Sequence, residues 1–356
     1  MKQMTVTASK TYDILIGRGL LRESGTRIRR YTNASRAVVV SDSNVFPLYG
    51  ERLLASLRQS GIKAGVYIFP AGEASKQMNE ILGMLDSFAE QGLSRPDIVI
   101  ALGGGVTGDM AGFAASIYLR GIRFVQIPTT LLAQIDSSVG GKTGVDLPCG
   151  KNLVGSFWQP SLVLIDPDTL LTLPPEIFAD GMAEGIKYGC IRDGGLFSRL
   201  LREDVHDFLE DFIFTCVDIK RRVVENDEHE AGERMLLNFG HSMGHAIERY
   251  FHFTGITHGE AVGIGMAAVT AASEAHGLTA PGTAEQIRAA LQKYHLPNQL
   301  PAPLQDVVDG IGFDKKRHGT QMNLILLRRI GDSFIHPIPC GELHGFFAPL
   351  AGKEAL

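Results

Sequence analysis

The chain has 356 residues, more than one hydrophobic core usually serves, so two domains are expected. Its 34 Lys+Arg and 39 Asp+Glu give a formal net charge of -5, with no long basic run to track a nucleic-acid backbone or an anionic membrane. No apolar run approaches the ~18 residues of a membrane span, and Cys149, Cys190, Cys216 and Cys340 make no CxxC pair, which points to a reducing setting.

The N-terminal stretch MKQMTVTASKTYDILIG lacks the apolar segment of a signal peptide, so a cytoplasmic protein is expected. The first half then alternates β-branched runs with helical stretches: RAVVVSD (36–42), GVYIFP (65–70), DIVIAL (97–102), RFVQIP (123–128) and SLVLID (161–166). That rhythm predicts a Rossmann-like α/β domain with a largely parallel sheet over residues 1–173. DIVIAL runs directly into GGGVTGD (103–109) and a helix-like segment, a strand–glycine turn–helix unit. Glycines there let a pyrophosphate approach the backbone, and the helix N-terminus offers free N–H groups, although the pattern departs from G-x-G-x-x-G. Asp42 and Asn44 follow one strand and Glu73 and Lys76 follow another; each also reads as ordinary loop polarity.

The segment PTTLLAQIDSSVGGKTGVDLPCGKN (128–152) is dense in functional side chains and reads as a long functional loop. Lys142 and Lys151 are flanked by glycine, which suits a wrapped phosphate, and Asn152 follows. Beyond the paired prolines at 174–175 the strand signal fades, and helical periodicity covers 176–192, 204–227, 234–251, 260–276 and 284–294. Residues 174–356 are therefore expected to form an all-α domain.

Within that half, Glu184 and Lys187 are three apart and share a helix face, as do His241 and His245, four apart. His258 opens HGEAVGIGM before the next helix. Two histidines and a carboxylate can hold a catalytic divalent ion, yet a His pair at this spacing fits a helix surface or core equally well. Lys187, Lys220, Arg234 and the Lys315–Lys316 pair add cations that, taken singly, read as solvated surface.

Together, GGGVTGD, RGIRFVQIPTTLLAQIDSSVGGKTGVDLPCGKN, AEGIKYG, RMLLNFGHSMGHAIE, HGEAVGIGM and DKK resemble the 3-dehydroquinate synthase family of sugar-phosphate cyclases, in order and over roughly residues 5–335. The resemblance implies a homodimer of two-domain subunits, with NAD+ and a zinc or cobalt ion in a cleft between the domains. It places the metal ligands on Glu184, His241 and His258. Substrate-binding and catalytic groups would be Arg120, Lys142, Asn152, Lys187, Lys220, Arg234, Asn238, His245 and one of Lys315 and Lys316. NAD contacts would be Asp42, Asn44, Glu73, Lys76, Gly104, Gly105, Val106, Asp109, Thr129, Thr130, Leu132, Asp136, Ser137, Lys142, Lys151 and Thr172.

The implied reaction turns 3-deoxy-D-arabino-heptulosonate 7-phosphate into 3-dehydroquinate and phosphate. Its steps are transient oxidation, phosphate elimination, re-reduction, ring opening and an intramolecular aldol closure. Arg234 and Lys220 would clamp the substrate carboxylate, while Lys142, Asn152, His245, one lysine of the 315–316 pair and Arg120 of the other subunit would hold the phosphate. A related cyclase, a metal-dependent NAD alcohol dehydrogenase and a non-catalytic descendant are the rival readings; the phosphate-binding lysines and intact Arg234, Lys220 and Asn238 weigh against them. Cys149 is an unexpected residue within the lysine segment and is assigned no role.

Overall fold

Apolar side chains on successive strand residues of the first half point to opposite faces of one sheet, and helices cover both. The computed structural model describes residues 1–313 and 321–351. In chain order the first half comprises β1 (Lys2–Thr7), β2 (Thr11–Ile16), α1 (Leu20–Tyr31), β3 (Arg36–Asp42), α2 (Phe46–Gln59), β4 (Lys63–Phe69), α3 (Met78–Glu90), β5 (Ile98–Gly103) and α4 (Gly105–Ile117). It continues with β6 (Arg123–Pro128), β7 (Lys142–Leu147), β8 (Gly150–Phe157) and β9 (Leu162–Ile165).

The main sheet has seven strands in the order β1-β2-β9-β6-β5-β3-β4. Only β1 and β2 pair antiparallel; β2-β9, β9-β6, β6-β5, β5-β3 and β3-β4 are parallel, as crossover helices require. Val39, Ile98, Ile100, Leu102 and Ile127 pack with Leu21 and Ile28 of α1 and Leu53 and Leu57 of α2. Val38, Val40, Val99, Ala101 and Phe124 face the other way, onto Ile81, Met84 and Phe88 of α3 and Met110 and Ala114 of α4. After β3 the chain moves outward to β4 and then returns to place β5 on the other side of β3. Such a switch opens a crevice at the strand C-termini, where Asp42 and Gly103 end their strands.

The segment expected as a long loop is more ordered than its composition suggests. It forms a π-helical turn over Ala133–Ser137 and an antiparallel hairpin, β7–β8, whose strands carry Lys142 and Lys151. Its glycines are structural as well: a Cβ on Gly155 would lie 2.0 Å from the Thr143 carbonyl oxygen. Period-two hydrophobicity was hidden because the hairpin alternates small and polar residues.

The second half comprises α5 (Pro175–Ile191), α6 (Gly194–Arg202), α7 (Leu209–Asn226), α8 (His241–Tyr250), α9 (His258–Ala275), α10 (Thr283–Lys293), α11 (Leu304–Phe313) and α12 (Leu343–Phe347). It is helical, as expected, and also carries one antiparallel hairpin that periodicity did not foresee: β10 (Gln321–Arg329) with β11 (Asp332–Pro339). The run MNLILLRR has leucines on both faces, so it lacks the alternation that marks a half-exposed strand. Close packing of α8 on α9 depends on glycine. Gly240 adopts φ 80° before α8, and a Cβ on Gly265 of α9 would lie 2.1 Å from the Gly240 carbonyl oxygen.

Two compact units emerge, Met1–Pro174 with Lys220–His229, and Pro175–Ile219 with Glu230–Leu356. The end of α7 and the turn after it thus pack with the α/β unit. Glu225 accepts the Thr7 N–H at 2.8 Å, and Glu228 accepts the Ser9 N–H at 2.7 Å and Gln159 Nε2 at 2.8 Å.

Asp97 closes the turn that launches β5. Its carboxylate accepts the Arg36 N–H at 2.9 Å, the Ser94 N–H at 2.9 Å and the Ser94 hydroxyl at 2.6 Å. Burial opposes ionisation there, but the Ser94 and Arg36 donors outweigh it and hold the carboxyl below the usual aspartate value. A depressed folded-state pKa contributes stability above the unfolded value of about 3.9 and loses it as pH falls through the folded value. Asp97→Asn is therefore expected to lower stability at neutral pH by about 1–3 kcal/mol, with the gap from wild type closing below about pH 4. Urea unfolding at pH 7 and pH 3 checks this; an equal gap at both pH values would refute it.

Candidate functional site

The α/β unit gathers its polar groups at the C-terminal edge of the sheet. Gly103–Gly105 turn from β5 into α4, and a Cβ on Gly104 would meet Thr130 Cγ2 at 3.0 Å, one on Gly105 Ser137 Oγ at 3.1 Å. The backbone is thus bare where the helix N-terminus points, with Val106 in the first turn and no side chain capping it. Thr129, 3% exposed, follows β6 with its buried hydroxyl unmatched by any hydrogen bond among the described residues. A narrow glycine-lined turn at a helix N-terminus with an orphaned hydroxyl beside it fits a dinucleotide diphosphate.

Lys76 is buried, and its Nζ lies 2.7 Å from Asp109 Oδ2, 2.6 Å from Asn152 Oδ1 and 4.0 Å from Glu73 Oε1. Burial works against the ammonium, but Asp109 and Glu73 outweigh it and raise the Lys76 pKa, so the lysine stays charged. Asn152 reaches this position in a left-handed conformation, φ 55°, which asparagine tolerates better than most residues. Lys220, in the C-terminal half of α7, donates to the Asp136 carbonyl at 2.9 Å and ion-pairs with the Asp136 carboxylate.

Other expected contacts are placed less centrally. Asp42 closes its own turn, accepting the Asn44 N–H at 2.9 Å, the Val45 N–H at 3.0 Å and the Thr107 hydroxyl at 3.3 Å, while Asn44 itself is exposed. Thr130 accepts the Ala133 N–H at 3.2 Å, and Leu132 is half-buried in the same turn. Thr172 hydrogen-bonds the Tyr49 hydroxyl of α2, so its side chain serves the fold. Lys142 is exposed, Lys151 half-buried, and Arg120 exposed at φ 67° in the turn after α4. Lys315 and Lys316 lie outside the described residues.

In the helical unit, Glu184 and Lys187 sit on the buried face of α5, each 1% exposed, and are ion-paired. His241 opens α8, His245 follows one turn later, and His258 opens α9. Their rings cluster, with centroids 5.6 Å apart for His241–His245, 5.3 Å for His241–His258 and 6.2 Å for His245–His258. His241 Nε2 lies 3.4 Å and His258 Nε2 3.5 Å from the same Glu184 oxygen, Oε1.

These three groups offer ligand atoms all within 4.8 Å of one another. Both Glu184 oxygens are buried without a hydrogen bond among the described residues. Burial opposes its ionisation, yet Lys187 and then His241 outweigh it and carry the carboxyl well below the usual range. An ionised, buried carboxylate, paired with Lys187 and facing two imidazole nitrogens, fits a divalent ion that accepts nitrogen and oxygen donors, as zinc and cobalt do. His241 Nδ1 is 3.1 Å from the Phe239 carbonyl; donating there leaves the Nε2 lone pair for a ligand.

Two residues of this centre were missed by sequence reasoning. Asp180, one turn before Glu184 on α5, accepts the Gly259 N–H at 2.6 Å and so ties down the start of α9; a Cβ on Gly259 would lie 2.1 Å from the Asp180 carbonyl oxygen. Thr257 and Glu260 complete a capping box around His258. Glu248, 2% exposed, is the other, with Oε1 3.6 Å from His258 Nδ1. The spacing His241, His245, Glu248 on one helix face could have flagged it. Nearby, Arg234 is 2% exposed, and Asn238 Nδ2 donates to Glu230 Oε1 at 2.5 Å.

Comparison with known proteins agrees across the chain. A family model described as 3-dehydroquinate synthase N-terminal matches residues 66–180, and one described as 3-dehydroquinate synthase C-terminal matches residues 181–317. A 3-dehydroquinate synthase of Clostridium botulinum (strain Alaska E43 / Type E3) is 47% identical over 341 residues, covering 94% of this chain and 97% of that protein. Among solved structures, a 2-deoxy-scyllo-inosose synthase complexed with carbaglucose-6-phosphate, NAD+ and Co2+ superimposes with a TM-score of 0.85 at 25% identity, covering 100% of both chains. A 2-epi-5-epi-valiolone synthase from Streptomyces hygroscopicus subsp. jinggangensis 5008 with NAD+ and Zn2+ bound gives 0.86 at 28% identity, covering 99% of each. Given these matches, the chain belongs to the 3-dehydroquinate synthase family.

Proposed function

We propose that this protein converts 3-deoxy-D-arabino-heptulosonate 7-phosphate to 3-dehydroquinate and phosphate, as a carbon–oxygen lyase using NAD+ and one divalent ion, Zn2+ or Co2+. The observation that carries the proposal is the buried Glu184 carboxylate facing the Nε2 atoms of His241 and His258, in a chain of this family. The ions and NAD+ named with the two cyclase structures support both cofactors.

Glu184, His241 and His258 would hold the ion, which when bound supplies Lewis acidity to adjacent substrate hydroxyls. The Gly103–Gly105 turn would hold NAD+, which when bound supplies a reversible hydride acceptor that is not consumed. The protein's own groups do the rest. Lys187 keeps Glu184 ionised through their ion pair. Arg234, Lys220 and Asn238 read the substrate carboxylate, while Lys142, Asn152 and His245 hold the phosphate and His245 passes it a proton as it leaves. One lysine of the 315–316 pair and Arg120 of the other protomer complete the phosphate contacts. Asp42, Asn44, Glu73, Lys76, Gly104, Gly105, Val106, Asp109, Thr129, Thr130, Leu132, Asp136, Ser137, Lys142, Lys151 and Thr172 are the proposed NAD+ contacts.

In this reading residues 1–173 carry the dinucleotide and 174–356 the metal and substrate groups, with Lys220 the exception, since it packs with the α/β unit. A cytoplasmic homodimer working in aromatic amino acid biosynthesis completes the proposal. Among the described residues no helix is long and apolar enough to cross a membrane. A cyclase closing an inositol-like ring is the rival; Arg234, Lys220 and Asn238, which suit a carboxylated substrate, favour the dehydroquinate reaction.

Purified protein with trace NAD+ and the heptulosonate phosphate is expected to release phosphate without accumulating NADH. Stripping with a chelator should abolish turnover and Zn2+ or Co2+ should restore it, whereas stoichiometric NADH would overturn the proposal. His245 is exposed and is not one of the three ligands, so His245→Gln should lower kcat about 10²- to 10⁴-fold with bound metal unchanged. Phosphate-release kinetics beside elemental analysis decide this; an unaltered kcat, or metal lost with His245, would reverse the assignment of the two histidines.

A further inference from the structure

The two histidines that face Glu184 are held differently. His241 has its Nδ1 at the Phe239 carbonyl, 3.1 Å away, a fixed backbone acceptor two residues before it. His258 has its Nδ1 at Glu248 Oε1, 3.6 Å away, and its Nε2 at Glu184 Oε1, 3.5 Å away. We infer that Glu248 is a positioning residue for the metal centre, whose carboxylate orients the His258 ring and keeps the proton on Nδ1, so that the Nε2 lone pair is directed at the ion.

Three observations support this. Glu248 is 2% exposed, and a carboxylate is buried at such depth only where cationic or hydrogen-bonding groups compensate it. It lies on the same face of α8 as His241 and His245, seven residues on from the first and three from the second, so one helix carries a ligand and the support of another. The close approach of α8 and α9, with Gly265 against the Gly240 carbonyl, sets that support against His258 at the start of α9. The 3.6 Å separation is an electrostatic contact and not a hydrogen bond. Its partner atom is nonetheless the ring nitrogen that a carboxylate–histidine–metal arrangement uses.

A rigid imidazole points its two nitrogens in divergent directions, so Glu248 at Nδ1 does not share an ion at Nε2. His245, Glu248 and His258 also offer atoms within 4.8 Å of one another, but an ion there in addition to the first would require His258 to bridge two metals as an imidazolate. The positioning reading needs only the neutral ring.

The inference rests on the metal reading above. Its test is metal binding by the full-length protein, stripped and titrated with Co2+ against a competing chelator, for wild type, Glu248→Gln, Glu248→Asp and His258→Ala. Wild type should bind one ion per chain and His258→Ala should lose it. Glu248→Gln should weaken Co2+ about 10- to 100-fold and alter the visible Co2+ spectrum, with circular dichroism and the thermal midpoint of the metal-free protein unchanged. Glu248→Asp should recover part of the affinity. Co2+ affinity of Glu248→Gln within about twofold of wild type would overturn the inference and leave the metal reading intact. Loss of affinity in step with loss of fold would overturn it too, as would a second wild-type ion that disappears in Glu248→Gln. A wild type that binds no ion would overturn the metal reading and the inference with it.

Discussion

The histidine cluster of the helical unit is arranged around a buried negative charge. The Glu184 carboxylate is 1% exposed, and removing such a group from water costs several kcal/mol unless positive charge or donors compensate it. Lys187 supplies one cation from the same helix, and two imidazoles face the other oxygen. That demand explains why two helices begin here. Both α8 and α9 start on a histidine, and glycine lets them cross closely enough to bring those histidines together.

The α/β unit solves a related problem differently. Its switch point between β3 and β5 leaves strand ends unfilled, and the polar groups there pair with one another instead of lying idle. Lys76, Asp109 and Asn152 form a network in which every charge has a partner. A ligand that binds beside such a network meets groups already oriented, so little ordering is left to do on binding.

Much of the fold was readable because parallel strands buried on both faces appear as uninterrupted runs such as VVV and IVIAL. The start of α5 was readable too, since PPEIF carries a start signal, but the run expected over 234–251 becomes α-helical only at His241, and α6 and α11 lie in no expected run. The β7–β8 hairpin was not, because Gly, Lys and Asp occupy strand positions whose order comes from a close backbone partner. At the centre, His241 and His258 could be singled out only through an ordered set of motifs. Spacing along the chain does not reveal that residues 184, 241 and 258 converge, and it hides Asp180, whose role runs through a backbone N–H of another helix. Lys220 shows the same limit: it belongs by sequence to a helix of the second half and by packing to the first unit.

That displaced stretch has a consequence for how the protein is made. The α/β unit needs Lys220–His229, because Glu225 and Glu228 satisfy backbone N–H groups at Thr7 and Ser9 and hold Gln159. A nascent chain that has emerged only as far as Pro174 carries every strand of the main sheet but not these acceptors. The first unit can therefore be completed on the ribosome only after α7 has been synthesised, and the earliest residues wait for the middle of the chain. A gene fragment cut at the apparent domain border would leave the same donors unmet, so the two halves are separable by eye but not by scissors.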